Sequence, residues 1–396
     1  MHARISSIVA VYLAGLLQGM ILVSFPASSA VLRAQHGFTD ARYGLIFLPQ
    51  VVFAVIGALC GGALVPRIGL QRLLWIALLA NGLSQSALAG VSWAPAALAY
   101  PLLLAGTGCL GLGFGLLGAP MNTYPQRLFA ARAGTAVVAM HTLVGFGSMV
   151  CPVLVDAAAA ANRWIAVPAT LAMLALLLAG AAAWLPLGGE PERPLATAER
   201  SLEPPPVNAA AFWLFAAIAV IYAFAEGTFS NWAVIFLHDA KGLPASTAAL
   251  GLSAFWGSLV TGRLLISALL LRVPARTIWI ALPALIGAAF LLLPYADTPL
   301  RGVGLFGFAG LACSAFFPLS VALVSARFPQ HIAWVSSMMI AALVGGTGLG
   351  SFVLGALRSA LSFDALYRWS ALYPAAVLLL AAVLWSSGGL RQAKAS

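Results

Sequence analysis

Gly62-Ala-Leu-Val-Pro66-Arg67-Ile-Gly69-Leu-Gln-Arg72-Leu-Leu-Trp75-Ile-Ala-Leu78 is the stretch that decides how this chain folds. Its last seven residues, from Arg72 to Leu78, return half a chain later as Arg276-Thr-Ile-Trp279-Ile-Ala-Leu282. In a sequence that is 62% hydrophobic, a repeated Ile-Ala-Leu alone would mean little. The copies also share the arginine, the tryptophan and a basic residue just upstream, Arg67 in one and Arg272 in the other. Both stand where a short basic loop enters a long apolar segment. The economical reading is a duplicated membrane unit, and duplicated halves flanking a midplane site are how many carriers are built.

Composition supports a membrane protein. The 396 residues have a mean hydropathy of +1.01, and only 8% are charged. That leaves no charged shell for a soluble core. Apolar runs repeatedly reach the roughly 20 residues that cross a bilayer as helix, and they are continuous rather than alternating, which argues against a barrel. The net charge of +10 comes mainly from short loops between apolar runs. It reads as topology signal and lipid contact, with no nucleic-acid partner implied. Cys60, Cys109, Cys151 and Cys313 form no C-x-x-C pair, so neither a disulfide framework nor a metal site is expected.

Twelve helical segments are expected, near 5–31, 42–65, 72–91, 96–121, 134–156, 164–187, 209–236, 246–271, 277–294, 300–325, 332–356 and 362–386. The first is read as an uncleaved helix, because its apolar run is longer than a signal peptide's. A polar stretch from Gly188 to Pro206 holds Glu190, Glu192, Glu199 and Glu203 and reads as a solvated linker. The expected organisation is a six-helix bundle over 1–187, a linker over 188–208 and a second bundle over 209–396. With both termini placed in the cytoplasm, twelve arginines and lysines fall on that side and seven on the other. That bias predicts a multi-pass inner-membrane protein with both termini and the linker cytoplasmic. All five aspartates, Asp40, Asp156, Asp239, Asp297 and Asp364, fall on the opposite side.

One acid stands apart. Glu226 lies in the middle of the seventh segment, the only acidic residue well inside any of them. A carboxyl at that depth is costly unless protonated, paired or wetted, so its first reading is functional, as a proton carrier. The competing reading is a protonated lock bonded to a neighbouring helix. His141 has the same two readings, a proton relay or a neutral interhelical bond. Asn122 contacts substrate or glues helices. Trp232 and Trp256 stack on a sugar ring or simply pack. Arg263 snorkels toward the cytoplasmic end of its helix or pairs as part of a gate. Gly113-Phe-Gly115-Leu-Leu-Gly118 matches a dinucleotide fingerprint, but it follows no strand and lies in an apolar helix, so it reads as helix packing.

The 62–72 stretch resembles the signature loop of the major facilitator superfamily: a glycine, three residues, an acid, a basic residue, another glycine and further basic residues. Gly62, Arg67, Gly69 and Arg72 match. Pro66 stands where the family has an aspartate, so the latch attributed to that acid has no counterpart here. A narrower resemblance, to the fucose permease-like branch with its sugar–proton symporters, rests on Tyr222-Ala-Phe-Ala-Glu226-Gly-Thr-Phe-Ser-Asn231-Trp232, Phe255-Trp256-Gly, Gly262-Arg263, the glycines around 111–115 with Asn122, His141 with Gly145, Gly147 and Pro152, and Phe317-Pro318. Symporters of that branch carry acids in their first and fourth helices; here the first offers Gln18 and the fourth Asn122.

The resemblance implies two six-helix bundles that alternate about a central cavity, with no cofactor. The expected substrate cavity comprises Gln18, Asn122, Tyr222, Asn231, Trp232, Phe255 and Trp256. Glu226 and His141 are the candidates for proton coupling; Gly62, Arg67, Gly69, Arg72 and Arg263 are those for gating. The expected activity is transport of a small neutral polar solute, a sugar first, by proton symport, in a monomer. The alternatives are a proton-driven exporter of amphipathic compounds and a transport-inactive membrane sensor. No catalytic constellation emerges, so an enzyme is not expected.

Overall fold

The computed structural model describes residues 2–185 and 206–386. Most of the 188–208 linker, with its glutamates, lies outside the described residues. The elements are α1 (His2–Ala27), α2 (Ser29–His36), α3 (Asp40–Leu45), α4 (Phe47–Ile68), α5 (Leu70–Gly90), α6 (Ala96–Leu128), α7 (Ala133–Ala160), α8 (Ala166–Trp184), α9 (Ala210–Ile235), α10 (Ala245–Leu269), α11 (Ala275–Leu292), α12 (Pro299–Cys313), α13 (Phe316–Arg327), α14 (Ile332–Leu357), α15 (Phe363–Ser370) and α16 (Leu372–Ser386). Twelve stretches among them are long and apolar enough to cross a membrane. They form two bundles of six.

The bundles repeat one packing scheme. In the first, α4 packs on α6, α5 on α6 and α8, and α1 on α7. In the second, α10 packs on α12, α11 on α12 and α16, and α9 on α14. Each of these pairs in one bundle has its counterpart six segments on in the other, as a duplication requires. The third segment, which carries Trp75, and the ninth, which carries Trp279, therefore share the same kinds of neighbour. The two tryptophans do not share an environment. Trp75 is exposed, whereas Trp279 is fully buried.

The 62–72 stretch differs from its expected form. The sequence suggests a loop between helices ending near 65 and starting near 72. Instead α4 continues through Pro66 and Arg67 to Ile68, and α5 begins at Leu70. Gly62 therefore sits within a helix and shapes no turn. The turn is made at Gly69 alone, whose φ of 80° is open to glycine and strained for other residues. Gln71, at the start of α5, donates through Nε2 to the carbonyls of Ala182 and Leu185, each at 2.8 Å, and so caps the end of α8. In the second bundle Arg276 serves the same junction by covering the Trp385 ring of α16.

The dinucleotide-like glycines pack helices. A side chain at Gly111 or Gly115 would meet the backbone of α4, at Gln50 and Ala54 respectively. One at Gly113 would meet Asn81 of α5. Bare backbone there lets α6 lie against both helices.

The aspartates all lie at one end of the molecule, termed the aspartate end; the 62–72 turn and the α6–α7 connection mark the arginine end. At the aspartate end the bundles are tied together. Asp40 at the start of α3 pairs with Arg33 of its own bundle and, at 3.0 Å, with Arg358 Nε of the other. Arg33 Nε in turn lies 3.2 Å from Asp239 across the interface. Tyr43 donates to the Asn231 carbonyl at 2.8 Å and meets the Trp232 ring edge to face, with centroids 5.1 Å apart. Bare backbone at Gly44 and Gly355 brings α3 against α14.

Candidate functional site

Between the bundles, α7 packs on α10 through Gly145 against Val260 and Gly257 against Met149. One turn toward the arginine end from that contact, Asn122, His141 and Arg263 are all exposed. His141 Nε2 lies 3.1 Å from Asn122 Oδ1, linking α7 to α6. Asn122 is itself held, donating to the Gly118 carbonyl at 2.8 Å. A recess of about 460 Å3 opens at Arg127–Arg132 on the same end. The bundles are thus tied to each other at the aspartate end, whereas polar side chains on the arginine side of the α7–α10 contact are exposed.

Glu226 projects from α9, partly buried. Tyr222, one turn earlier, brings its hydroxyl to 2.6 Å from Glu226 Oε2 and 2.8 Å from the Cys313 carbonyl at the end of α12. Helix spacing brings residues four apart onto one face, so α9 itself supplies the pair. The tenth segment is broken at that point, between Cys313 and Phe316. Pro318 explains the break: it has no N–H for the Ser314 carbonyl four residues earlier, and its ring crowds that carbonyl. Arg263 Nε fills the gap, donating to Ser314 O at 3.1 Å. Arg263 stands on α10, which packs on α7, the helix that carries His141.

Aromatic packing fixes the phenol. The Tyr222 ring lies 4.9 Å from Phe316, and Phe316 stacks on Trp279 at 5.5 Å with the planes 9° apart. Trp279 is anchored by donating to Ser320 Oγ at 2.7 Å. The repeated tryptophan therefore supports this site from behind.

The other residues expected at the cavity are dispersed. Gln18 is 1% exposed and sealed within the first bundle, where Asn81 Nδ2 donates to its Oε1 at 2.7 Å. Phe255 is fully buried in the second bundle. Trp232 is also fully buried, between Tyr43 and Phe363. Asn231 donates to Ser351 Oγ at 2.8 Å. Both Trp232 and Asn231 belong to the seal at the aspartate end and do not face an open cavity. Trp256 is partly buried and meets Phe255 edge to face. Arg67 and Arg72 are exposed at the arginine end.

Sequence reasoning missed the ties made by Arg33, Asp40, Tyr43, Asp239 and Arg358. Nothing local marks Asp239 as a partner of Arg33, or Arg358 as a partner of Asp40, so far apart in the chain. It also missed the role of the α12–α13 break, although Pro318 inside a long apolar segment signals a carbonyl in need of an outside donor.

Gln18 and Glu226 prove to be equivalent. Each is followed by glycine and stands equally far from the end of α1 or α9. A side chain at Gly19 would meet the Val144 carbonyl of α7, and one at Gly227 the Thr347 carbonyl of α14. Ser148 Oγ reaches the Gly19 carbonyl at 3.1 Å, and Ser351 Oγ reaches that of Gly227 at 3.4 Å.

Known proteins share this architecture. A mutant of the nucleoside transporter NupG superposes with a TM-score of 0.77 at 16% identity, over 97% of this chain and 99% of that one. A D-xylose–proton symporter gives 0.75 at 18% identity, over 96% and 97%. The xylose transporter XylE from E. coli, in a partially occluded inward open conformation, gives 0.72 at 18%, over 98% of each chain. An uncharacterized transporter, y4wD of Sinorhizobium fredii (strain NBRC 101917 / NGR234), is 29% identical over 174 residues, 43% of this chain and 46% of that protein. The chain thus matches about half the length of that relative. The family profile described as the Major Facilitator Superfamily matches residues 8–308. A match of that breadth, on a chain folded as two equivalent six-segment bundles, makes this protein a member of the Major Facilitator Superfamily.

Proposed function

We propose that this transporter carries a small neutral polar solute, with a sugar the first candidate, by proton symport, acting as a monomer and performing no catalysis. The observation that carries the reading is Glu226, the one acid in mid-segment among the described residues, held against Tyr222 beside the space between the bundles. The exposed Asn122–His141 pair offers hydrogen-bonding groups suited to hydroxyls. The substrates of two structurally similar transporters, xylose and a nucleoside, belong to the same polyhydroxylated class. By the arginine bias, the arginine end with both termini and the 188–208 linker faces the cytoplasm.

Transport assays on Glu226→Gln test the coupling. Proton-driven accumulation should fall to near background, while counterflow exchange, which needs no net proton movement, survives. If the Glu226→Gln variant accumulates normally and only Glu226→Ala is unstable, the residue is a lock. A thermal-shift screen against sugars, polyols, nucleosides and amphipathic cations identifies the class, since a ligand that binds the folded state raises Tm. Shifts confined to amphipathic cations would replace the symporter by an exporter. Labelling of Ser201→Cys by an impermeant reagent outside intact cells should fail; efficient labelling would invert the topology.

A further inference from the structure

A phenol carries one proton, and Tyr222 Oη has two acceptors within reach: Glu226 Oε2 at 2.6 Å and the Cys313 carbonyl at 2.8 Å. It can donate to only one at a time. The state of Glu226 decides which. As a carboxylate, Glu226 only accepts, and a charge-assisted bond is the stronger one. Tyr222 then turns to Oε2, and Cys313 O loses its phenolic donor. When protonated, Glu226 has an O–H of its own. It donates to Tyr222 Oη, and Tyr222 is free to donate to Cys313 O. The added proton stays on Glu226; the phenol only rotates its hydroxyl, and no other bond is made or broken.

Cys313 is the last residue of α12, and the carbonyl after it, Ser314 O, is the one that Pro318 leaves without a helical donor. Arg263 Nε supplies that donor. Tyr222 is the side chain that joins this pair of adjacent carbonyls to Glu226. Resting on the proton-coupling reading above, we propose that Tyr222 is a positioning residue that passes the protonation state of Glu226 to the α12–α13 break. Neutral Glu226 leaves both donors on the break and holds α13 at its present angle. Ionised Glu226 draws the Tyr222 hydroxyl away from Cys313 O and releases α13, which runs from the break to Arg327 at the arginine end.

The surroundings of α9 leave few other groups to compete. From its own helix comes Tyr222, from α10 Arg263, and from α12 the Cys313 thiol. His141 of α7 is bonded to Asn122 in its own bundle. The α14 face packed on α9 presents Gly346, Thr347, Gly350 and Ser351, none of which titrates. From α11 come Trp279 and Phe290, and from α15 and α16 Tyr367 and Tyr373, which contact Phe215, Phe229 and Phe224 of α9. Among the described side chains of α1 the titratable one is Tyr12, which donates to the Ala136 carbonyl within its own bundle. Arg33, just after α1, is engaged at the aspartate end.

The test reads the angle of α13 and the proton separately. In the full-length protein without native cysteines, spin labels are placed at Ala322, exposed on α13, and Ala131, exposed at the arginine end of the first bundle. Their separation is measured from acidic to alkaline pH, and the carboxyl band of Glu226 is followed by infrared difference spectroscopy. Wild type should show a pH-dependent shift in separation. Glu226→Gln and Glu226→Ala should hold the acid-pH separation throughout, because Tyr222 then keeps its bond to Cys313 O. In Tyr222→Phe, which retains the ring against Phe316, the Glu226 band should still titrate while the separation no longer follows it. A Tyr222→Phe protein that shifts like wild type overturns the proposal and leaves Glu226 as the proton carrier. So does Glu226→Ala resting at the alkaline separation, and this variant decides the matter even if Tyr222→Phe does not fold. Glu226→Gln that shifts and accumulates like wild type removes the proton-coupling reading along with the proposal.

Discussion

Gln18-Gly19 and Glu226-Gly227 occupy the same place in two copies of one bundle, yet they have opposite fates. Both glycines admit a neighbouring helix, α7 or α14, and both glycine carbonyls receive a serine hydroxyl from it. The side chain before the glycine then takes a different path. Gln18 turns into its own bundle and meets Asn81 in a neutral, sealed contact. Glu226 meets Tyr222 and, through it, a broken helix; the matching fourth segment, α6, runs unbroken from Ala96 to Leu128 despite three internal prolines. Duplication has preserved the packing and let the chemistry diverge. A carboxyl can be charged or neutral, whereas an amide cannot, so only the second bundle can take two electrostatic states at this position.

The comparison can be broken most forcefully by making the copies alike. Gln18→Glu puts an ionisable group at a site that is 1% exposed and bonded to a neutral amide. We expect a loss of about 3 kcal/mol or more if the group ionises there, seen as a clear drop in Tm that is relieved at acid pH, where the carboxyl is neutral. The double variant Gln18→Glu with Glu226→Gln should not recover proton-driven accumulation, since no broken helix adjoins residue 18. Recovery would show that the two positions are interchangeable and the asymmetry incidental.

The shared part of the comparison is tested at the glycines. Gly19→Ala and Gly227→Ala each drive a methyl into the backbone of the facing helix, at an expected cost of about 1–3 kcal/mol. The losses should be similar, and a large difference in melting temperature would show that the equivalence is only approximate. At the aspartate end, Asp40→Asn removes the charge that joins Arg33 to Arg358 across the bundles. With partial solvent screening the expected effect is about 1 kcal/mol toward opening there. It should be read as a severalfold faster labelling of Ile46→Cys, a position only 1% exposed at the end of α3. The smallest effect belongs to the hydroxyls: Ser148→Ala and Ser351→Ala should each lose about 0.6 kcal/mol, the usual worth of such bonds between membrane helices. Unequal losses would trace to Asn231, which bonds Ser351 and has no equivalent at Ser148.

Much of this architecture is written in the chain. Twelve apolar stretches, the polar 188–208 interruption and the Arg-x-x-Trp-Ile-Ala-Leu repeat identify the segment count and the duplication, because crossing a bilayer as helix requires length and apolar composition, and both are local properties. Glu226 is legible for the same reason: an acid amid apolar residues needs no partner list to be conspicuous. Its environment is not legible. Tyr222 can be placed on the face of Glu226 from its spacing, but Cys313 O and Arg263 come from segments far away in sequence. Gln18, Phe255 and Trp232 read as cavity residues because residue type shows which side chains can meet a solute and not which way they point. A helix of apolar composition on all sides carries little signal about its inward face.

What the sequence determined alone was thus the medium, the number of crossings, the repeat and the single costly acid. Only the tertiary structure decided which copy of the repeat meets a broken helix, through the coincidence of a proline break in the tenth segment with a phenol from the seventh and a guanidinium from the eighth. Helix formation is settled by neighbours in the chain, whereas the satisfaction of a freed carbonyl depends on whichever donor another helix brings to it.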